Sequence, residues 1–176
     1  MRIAIFGLGK MGANMARRLC RGGIEVVGYN RSFAVTQQLA EHDGLLAAKS
    51  VADALAMLTS PKIVWLMLPA GETTELMLKA LAVELAPGDI VIDGGNANYH
   101  DSQRRGEELA KSGIQFVDAG TSGGVWGLEN GFCMMLGGDV KTVAKLEVLF
   151  KVLAPAEDKG WAHVGPIGSG HFVKMV

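Results

Sequence analysis

Near its start the chain passes directly from a short apolar run, Ile3-Ala4-Ile5-Phe6, into Gly7-Leu8-Gly9-Lys10-Met11-Gly12. Taken alone, G-x-G-x-x-G is a weak pattern. Here it follows a strand-like run and opens an amphipathic helical segment, Met11 to Arg21, with Met15, Ala16 and Leu19 on one face. In that context the first glycine permits a tight turn, the second lets a ligand approach the backbone, and the third lets helix and strand pack closely. Unpaired N–H groups and the helix dipole at such a start favour a diphosphate. A glycine-rich turn that merely connects two elements is the bland alternative.

The rest of the chain repeats the alternation of strand and helix. Glu25 to Tyr29 reads as a second strand, with Ser32 placed to cap a helix through Val35 and Leu39. Leu45 to Ala47 is a short third strand, and Ser50 can cap a short helix through Leu55. Lys62 to Leu68 is apolar on both faces, as a central parallel strand should be. A helix over Glu72 to Leu85, a turn at Pro87-Gly88-Asp89 and a strand at Ile90 to Ile92 follow. Tyr99 to Ser112 is helical with Gly113 as its stop, and Ile114 to Asp118 is a strand. Phe132 to Leu136 is a further strand, Gly137-Gly138-Asp139 opens one helix to about Leu153, and Trp161 to Val164 is a last strand. This order predicts an α/β, Rossmann-type doubly wound, mostly parallel sheet with helices on both faces.

Composition excludes several classes. A net charge of −1 and the absence of a Lys/Arg run leave no broad basic surface for nucleic acid. The N-terminal apolar run is too short for a secretory h-region, and no apolar stretch approaches the roughly 18 residues needed to span a membrane. A cytoplasmic protein is expected. Cys20 and Cys133 stand far apart in no metal-ligand spacing, so two buried thiols and no metal are expected. The 24 glycines are nearly twice the average share, and they cluster where backbone would approach a ligand.

The end of the second strand bears on which dinucleotide fits. Enzymes using NAD place an acid there for the ribose 2′-hydroxyl, whereas this chain has Asn30-Arg31-Ser32. A guanidinium can pair with a 2′-phosphate that a carboxylate would repel, so NADP is favoured over NAD. Arg31 could equally be a solvated surface arginine and Ser32 only a helix cap. Ligands of this fold lie beyond the carboxyl ends of the strands. That selects Leu68-Pro69-Ala70, Asp93-Gly94-Gly95-Asn96 and the stretch Gly120 to Gly124. Each could be a plain turn, but three on one edge point to a shared pocket.

Several of these segments resemble a known family. Asp93-Gly94-Gly95-Asn96-Ala97-Asn98-Tyr99, with Asp101 and Arg104-Arg105 behind it, is similar to the D-G-G-N segment of 6-phosphogluconate dehydrogenases. Thr121-Ser122-Gly123-Gly124-Val125-Trp126-Gly127-Leu128 resembles the shorter, bacterial-type branch of that family. Gly168-Ser169-Gly170-His171-Phe172-Val173-Lys174-Met175-Val176 is similar to the stretch carrying its catalytic lysine. The wider β-hydroxyacid dehydrogenases, including the 3-hydroxyisobutyrate type, usually carry a D-S-S-T-like segment where this chain has Asp93 to Asn96. Ala97 departs from the serine most common after that asparagine.

The resemblance implies NADP-linked oxidative decarboxylation of 6-phosphogluconate to ribulose 5-phosphate. Asn96 would touch both nicotinamide and substrate, and Ser122, Gly123 and Gly124 would hold the substrate through donors suited to a carboxylate. Lys174 would be the general base, which must be neutral when it takes the hydroxyl proton. His171 could orient substrate or fill a polar pocket. Trp126 is expected to pack rather than react, and Met134, Met135 and Trp65 to be core. The family continues past the lysine to H-N-G-I-E and a helical domain. Residues 1–165 are therefore expected to form the cofactor domain, and 166–176 to begin a linker helix to a further domain. An anionic sugar-acid phosphate as substrate, a homo-oligomeric intact protein and a cofactor-binding but inactive isolated chain are the corresponding expectations. The other readings are a different β-hydroxyacid dehydrogenase and a non-catalytic nucleotide-binding module.

Overall fold

A computed structural model describes all residues, Met1–Val176. The strands are β1 (Arg2–Phe6), β2 (Glu25–Tyr29), β3 (Leu46–Ala47), β4 (Ile63–Leu66), β5 (Ile90–Asp93), β6 (Gln115–Ser122), β7 (Cys133–Gly137) and β8 (Trp161–Gly165). The helices are α1 (Lys10–Arg21), α2 (Phe33–Asp43), α3 (Val51–Ala56), α4 (Glu72–Glu84), α5 (Tyr99–Ala110), α6 (Gly127–Asn130), α7 (Val140–Lys145), α8 (Glu147–Leu153) and α9 (Ser169–Met175). One sheet runs in the order β3-β2-β1-β4-β5-β6-β7-β8. Its first six strands in sequence are mutually parallel, the doubly wound Rossmann arrangement expected from the alternation.

Period-two alternation divides the strands between two cores. Ile3, Ile5, Trp65, Ile90, Ile92 and Val117 face Met15, Ala16, Leu19 and Phe150 on one side of the sheet. Ala4, Phe6, Val64, Leu66, Val91 and Phe116 face Leu78, Leu81 and Leu109 on the other. Burial on both faces is why these strands read as continuous apolar runs. Each fully buried Leu, Ile or Phe side chain contributes about 1.5–3 kcal/mol.

Several local expectations change. β7 runs antiparallel to β6, because the connection Gly123–Phe132 is shorter than the dozen or more residues a parallel crossover needs. β6 also runs on to Ser122, beyond the expected end at Asp118, because its last residues pair with β7. The single helix expected up to Leu153 is two, broken at Leu146, which lies at φ −99° and ψ −1° with its side chain fully buried. The bend brings Val143, Leu146 and Phe150 into one core. The final helix begins at Ser169, two residues before the expected start at His171. Ser50 caps α3 by accepting the N–H of Asp53 at 3.0 Å, whereas the Ser32 hydroxyl at the start of α2 makes no such bond.

Trp126 is 74% exposed and does not pack, contrary to expectation, because its short helical turn lies outside the sheet and both cores. Cys133 is exposed and Cys20 half-buried, so the expected pair of buried thiols is also corrected; Cys133 opens β7 at the sheet's rim. Met134 and Trp65 are core as expected, and Met135 is partly buried. No helix is long and apolar enough to cross a membrane.

Candidate functional site

The strand order reverses between β1 and β4, and the loops leaving the carboxyl ends of these strands meet there. Gly7 takes φ +95°, and its N–H donates to the Tyr29 carbonyl at 2.9 Å. The N–H of Met67 donates to Phe6 at 2.8 Å and that of Gly94 to Leu66 at 2.8 Å, which ties the exits of β1, β4 and β5 into one edge. The Leu8 N–H donates to Asn30 Oδ1 at 3.0 Å, so the end of β2 is fixed to the same turn.

The three glycines of the turn do different work. A side chain on Gly7 would strike the Met67 carbonyl, and one on Gly12 would strike the Gly7 carbonyl. A Cβ on Gly9 would meet no protein atom within 4 Å. Gly7 and Gly12 are demanded by the protein's own packing, while Gly9 opens onto free space at the start of α1. α1 has no acidic residue in its first turn and carries Arg18 and Arg21 in its last, and its amino end is electrostatically open to an anion. Those features fit a dinucleotide whose diphosphate lies against Gly9. Around the turn Lys10 is exposed, Met11 half-buried and Leu8 buried. Arg31 and Ser32 are exposed beyond Asn30, and Pro69 and Ala70 are exposed beyond half-buried Leu68.

Asn96 is exposed at the end of a turn built on a buried carboxylate. Asp93 Oδ1 accepts the Gly95 N–H at 3.1 Å, while its Oδ2 pairs with Arg105 Nη1 at 3.3 Å. Both side chains are 1% exposed. Arg105 Nε also donates to Glu75 Oε1 at 2.7 Å. Burial pushes the Asp93 carboxyl up to about 6. Hydrogen bonding from Arg104 first, and from Arg105, holds Glu75 down at about 2. Helix α5 thus anchors the Asn96 turn through an arginine.

The same helix anchors α9. Asp118, buried on β6, accepts the Gly168 N–H on Oδ1 at 2.7 Å and the His171 N–H on Oδ2 at 2.8 Å, capping α9 from the sheet. His171 Nδ1 and the Ser102 hydroxyl of α5 are hydrogen-bonded at 2.7 Å, with the direction set by the imidazole tautomer. His171 is 1% exposed, and burial pushes its imidazole pKa down. Its Nδ1 is taken up within the chain by Ser102, while its buried Nε2 has no hydrogen-bond partner there. Burial also pushes Asp118 upward, against the two N–H bonds it accepts. A Cβ on Gly120 would lie 2.6 Å from both the Gly170 carbonyl and Lys174 Cβ. The bare backbone at Gly120 therefore lets α9 lie on β6, with the half-buried Lys174 stem crossing it two residues before Ser122. Ser122 and Gly124 are exposed and Gly123 is half-buried.

The motif residues from Gly7, Asn30, Leu68 and Asn96 meet at one edge, and Lys174 comes to the strand that ends in Ser122. Asp118, Ser102 and Glu75, which support this arrangement, escaped sequence reasoning. A buried acid ending an apolar strand was the available signal for Asp118.

Fold and site together define a dinucleotide-binding Rossmann domain of the dehydrogenase type. The chain belongs to the family of the NAD binding domain of 6-phosphogluconate dehydrogenase, whose model matches residues 2–165. It is 39% identical over 176 residues to the NAD(+)-dependent, decarboxylating 6-phosphogluconate dehydrogenase of Haloferax volcanii, covering 100% of this chain and 57% of the relative. It is 37% identical over 183 residues to the decarboxylating 6-phosphogluconate dehydrogenase of Haemophilus influenzae, covering 99% of this chain and 37% of the relative. Among solved structures, the Plasmodium falciparum 6-phosphogluconate dehydrogenase superposes with a TM-score of 0.92 at 28% identity, covering 99% of this chain and 39% of that one. That enzyme is described with its cofactor NADP+ and with its substrate 6-phosphogluconate. The 3-hydroxyisobutyrate dehydrogenase of Mycobacterium tuberculosis superposes with a TM-score of 0.87 at 27% identity, covering 98% of this chain and 57% of that one. The chain spans less than two thirds of the length of each of these proteins.

Proposed function

We propose that this chain is the cofactor-binding part of an NADP-dependent 6-phosphogluconate dehydrogenase that releases carbon dioxide. The observation that supports the reading is the seating of α9 on β6, which lays the Lys174 stem across Gly120, two residues before Ser122. Asn96, at the neighbouring exit, follows Gly95, whose N–H donates to the Asp93 carboxylate that Arg105 pairs with. Bound nicotinamide supplies the chemistry of accepting hydride from C3 of the substrate. Lys174, neutral when it acts, takes the proton of the C3 hydroxyl. The 3-keto acid so formed loses carbon dioxide, and the enediol left behind is protonated to ribulose 5-phosphate. Backbone donors at Ser122, Gly123 and Gly124 suit the substrate carboxylate.

Gly94 and Gly95 favour 6-phosphogluconate over the 3-hydroxyisobutyrate alternative. A Cβ on Gly94 would crowd Trp65 Nε1 and lie 2.6 Å from Met67 Sδ, and one on Gly95 would lie 2.6 Å from the Leu68 carbonyl. The serines of a D-S-S-T segment would not fit this backbone. NADP is chosen on Arg31, which forms no ion pair within the chain, and on the absence of an acid at the end of β2. The relatives include enzymes of both kinds, so the choice rests on these residues. We assign residues 1–165 to the cofactor domain and 166–176 to a helix leading into a further domain, so that the isolated chain binds cofactor without turnover.

Calorimetric titration of the chain with NADP and with NAD tests the cofactor assignment. Tighter NADP binding that is lost in Arg31→Ala is expected; equal or NAD-favoured binding overturns it. In the intact protein, Lys174→Met should abolish oxidation of 6-phosphogluconate while leaving cofactor binding in place. Activity of the intact protein on 3-hydroxyisobutyrate instead would select the second reading, and no oxidation of either would make it a nucleotide-binding module.

A further inference from the structure

The carboxyl edge of β3 carries a cation that the reading above does not use. β3 pairs with β2 through Val27↔Leu46 and Gly28↔Ala47, and the Ala48 N–H donates to the Gly28 carbonyl at 3.0 Å. The residue that follows, Lys49, therefore leaves the sheet beside Asn30-Arg31-Ser32. Its backbone is pinned, because its N–H donates to Asp53 Oδ2 at 2.8 Å while the Asp53 N–H donates to Ser50. Its side chain leans toward α2, with Nζ 5.8 Å from the centre of the Phe33 ring, two residues after Arg31. Lys49 is exposed and forms no ion pair, and neither does Arg31. The first turn of α2 holds no acid, and the Ser32 hydroxyl is uncommitted.

A phosphate monoester carries a charge of about −1.5 to −2 at neutral pH. One guanidinium balances one unit of that charge, and a second cation at the same edge would balance the rest. The face of an aromatic ring attracts an ammonium. Phe33 therefore holds Lys49 against the start of α2, within a flexible side chain's swing of the anion that Arg31 would pair with.

We infer that Lys49 is a second cation for the 2′-phosphate of the cofactor's adenosine and acts with Arg31 in setting the preference for the phosphorylated dinucleotide. This rests on the NADP reading above. It adds a determinant contributed by the β3–α3 connection.

The test uses the chain itself, titrated calorimetrically with adenosine 2′,5′-bisphosphate and with adenosine 5′-monophosphate. Lys49→Ala should weaken the bisphosphate about fivefold to tenfold, in the range of one partly screened charge pair, and leave the monophosphate unchanged. Lys49→Arg should restore most of the loss, and the effect should shrink as salt is raised. Because the structural bond of Lys49 uses its backbone N–H, the substitution leaves the α3 cap intact, which thermal melting verifies. Unchanged bisphosphate binding in Lys49→Ala, alongside loss in Arg31→Ala, overturns the role of Lys49 and leaves the NADP reading standing. Equal weakening of both ligands overturns a role specific to the 2′-phosphate. A wild-type chain that does not distinguish the two ligands overturns the NADP reading and this inference with it.

Discussion

Oδ2 of Asp118 accepts the backbone N–H of His171 at 2.8 Å, across 53 residues of sequence. Through this bond, and its companion from Gly168, a strand in the middle of the chain decides where the helix bearing Lys174 begins. Removing the carboxylate in Asp118→Ala strands two buried donors that have no solvent to turn to. We expect a loss of about 2–4 kcal/mol, from the missing cap and the unpaired groups. Denaturant melting reads the total, and amide exchange over residues 170–175 should quicken more than in β1 or β4. Equal protection throughout would show that α9 is held by other contacts.

Gly120 is the second half of that attachment. In Gly120→Ala the new methyl must displace the Gly170 carbonyl and the Lys174 stem. A destabilisation of about 1–3 kcal/mol is expected, as for overpacked cores. On the function proposed above, turnover of the intact protein should fall more than cofactor affinity, because α9 moves while α1 does not. Unaltered turnover would separate Lys174 from the chemistry.

Arg105 and Asp93 make a pH-dependent prediction. Arg105→Met leaves a buried carboxylate without its cation, at a cost of about 3–5 kcal/mol near neutral pH. Asp93 already titrates at about 6 in the fold, above its ordinary 3.8, because burial disfavours its charge. A carboxyl raised in this way contributes stability that is fully present below the unfolded value and lost as pH rises through the folded value. Without Arg105 its folded value climbs further. The penalty of Arg105→Met should therefore be larger at pH 8 than at pH 5, measured by urea melts at both. A penalty independent of pH would mean that Asp93 stays protonated throughout.

The glycine-rich turn separates ligand needs from folding needs. Gly12→Ala should destabilise the chain strongly, since its methyl strikes the Gly7 carbonyl. Gly9→Ala, at φ −68° and with no neighbour within 4 Å, should cost no more than about 1 kcal/mol, the size of a weakened helix cap. It should nonetheless weaken dinucleotide binding at least tenfold. Retained affinity in folded Gly9→Ala would place the diphosphate elsewhere.

The first strand, the turn and α1 could be read from the sequence because their causes are local. An apolar run sets the strand, three glycines set the turn, and Met15, Ala16 and Leu19 set the helix face. The doubly wound sheet followed from the repetition of that unit, and the common edge of the exits followed from the parallel sheet. The motif residues Asn96 and Lys174 were visible as resemblance, but their positions relative to one another were not. From α5, Arg105 reaches Asp93 on the strand before it and Glu75 on the preceding helix, and His171 finds Ser102 across 69 residues. Exposure of Trp126 and Cys133 and the reversal at β7 were likewise invisible locally, since they depend on what the rest of the chain covers and on how short a connection is. The sequence by itself determined most of the elements, their order and the glycine-rich turn, because propensity and periodicity act between near neighbours. Tertiary structure alone decided which carboxylate caps α9 and which arginine holds the Asn96 turn, because a buried charge takes whichever partner the packing brings to it.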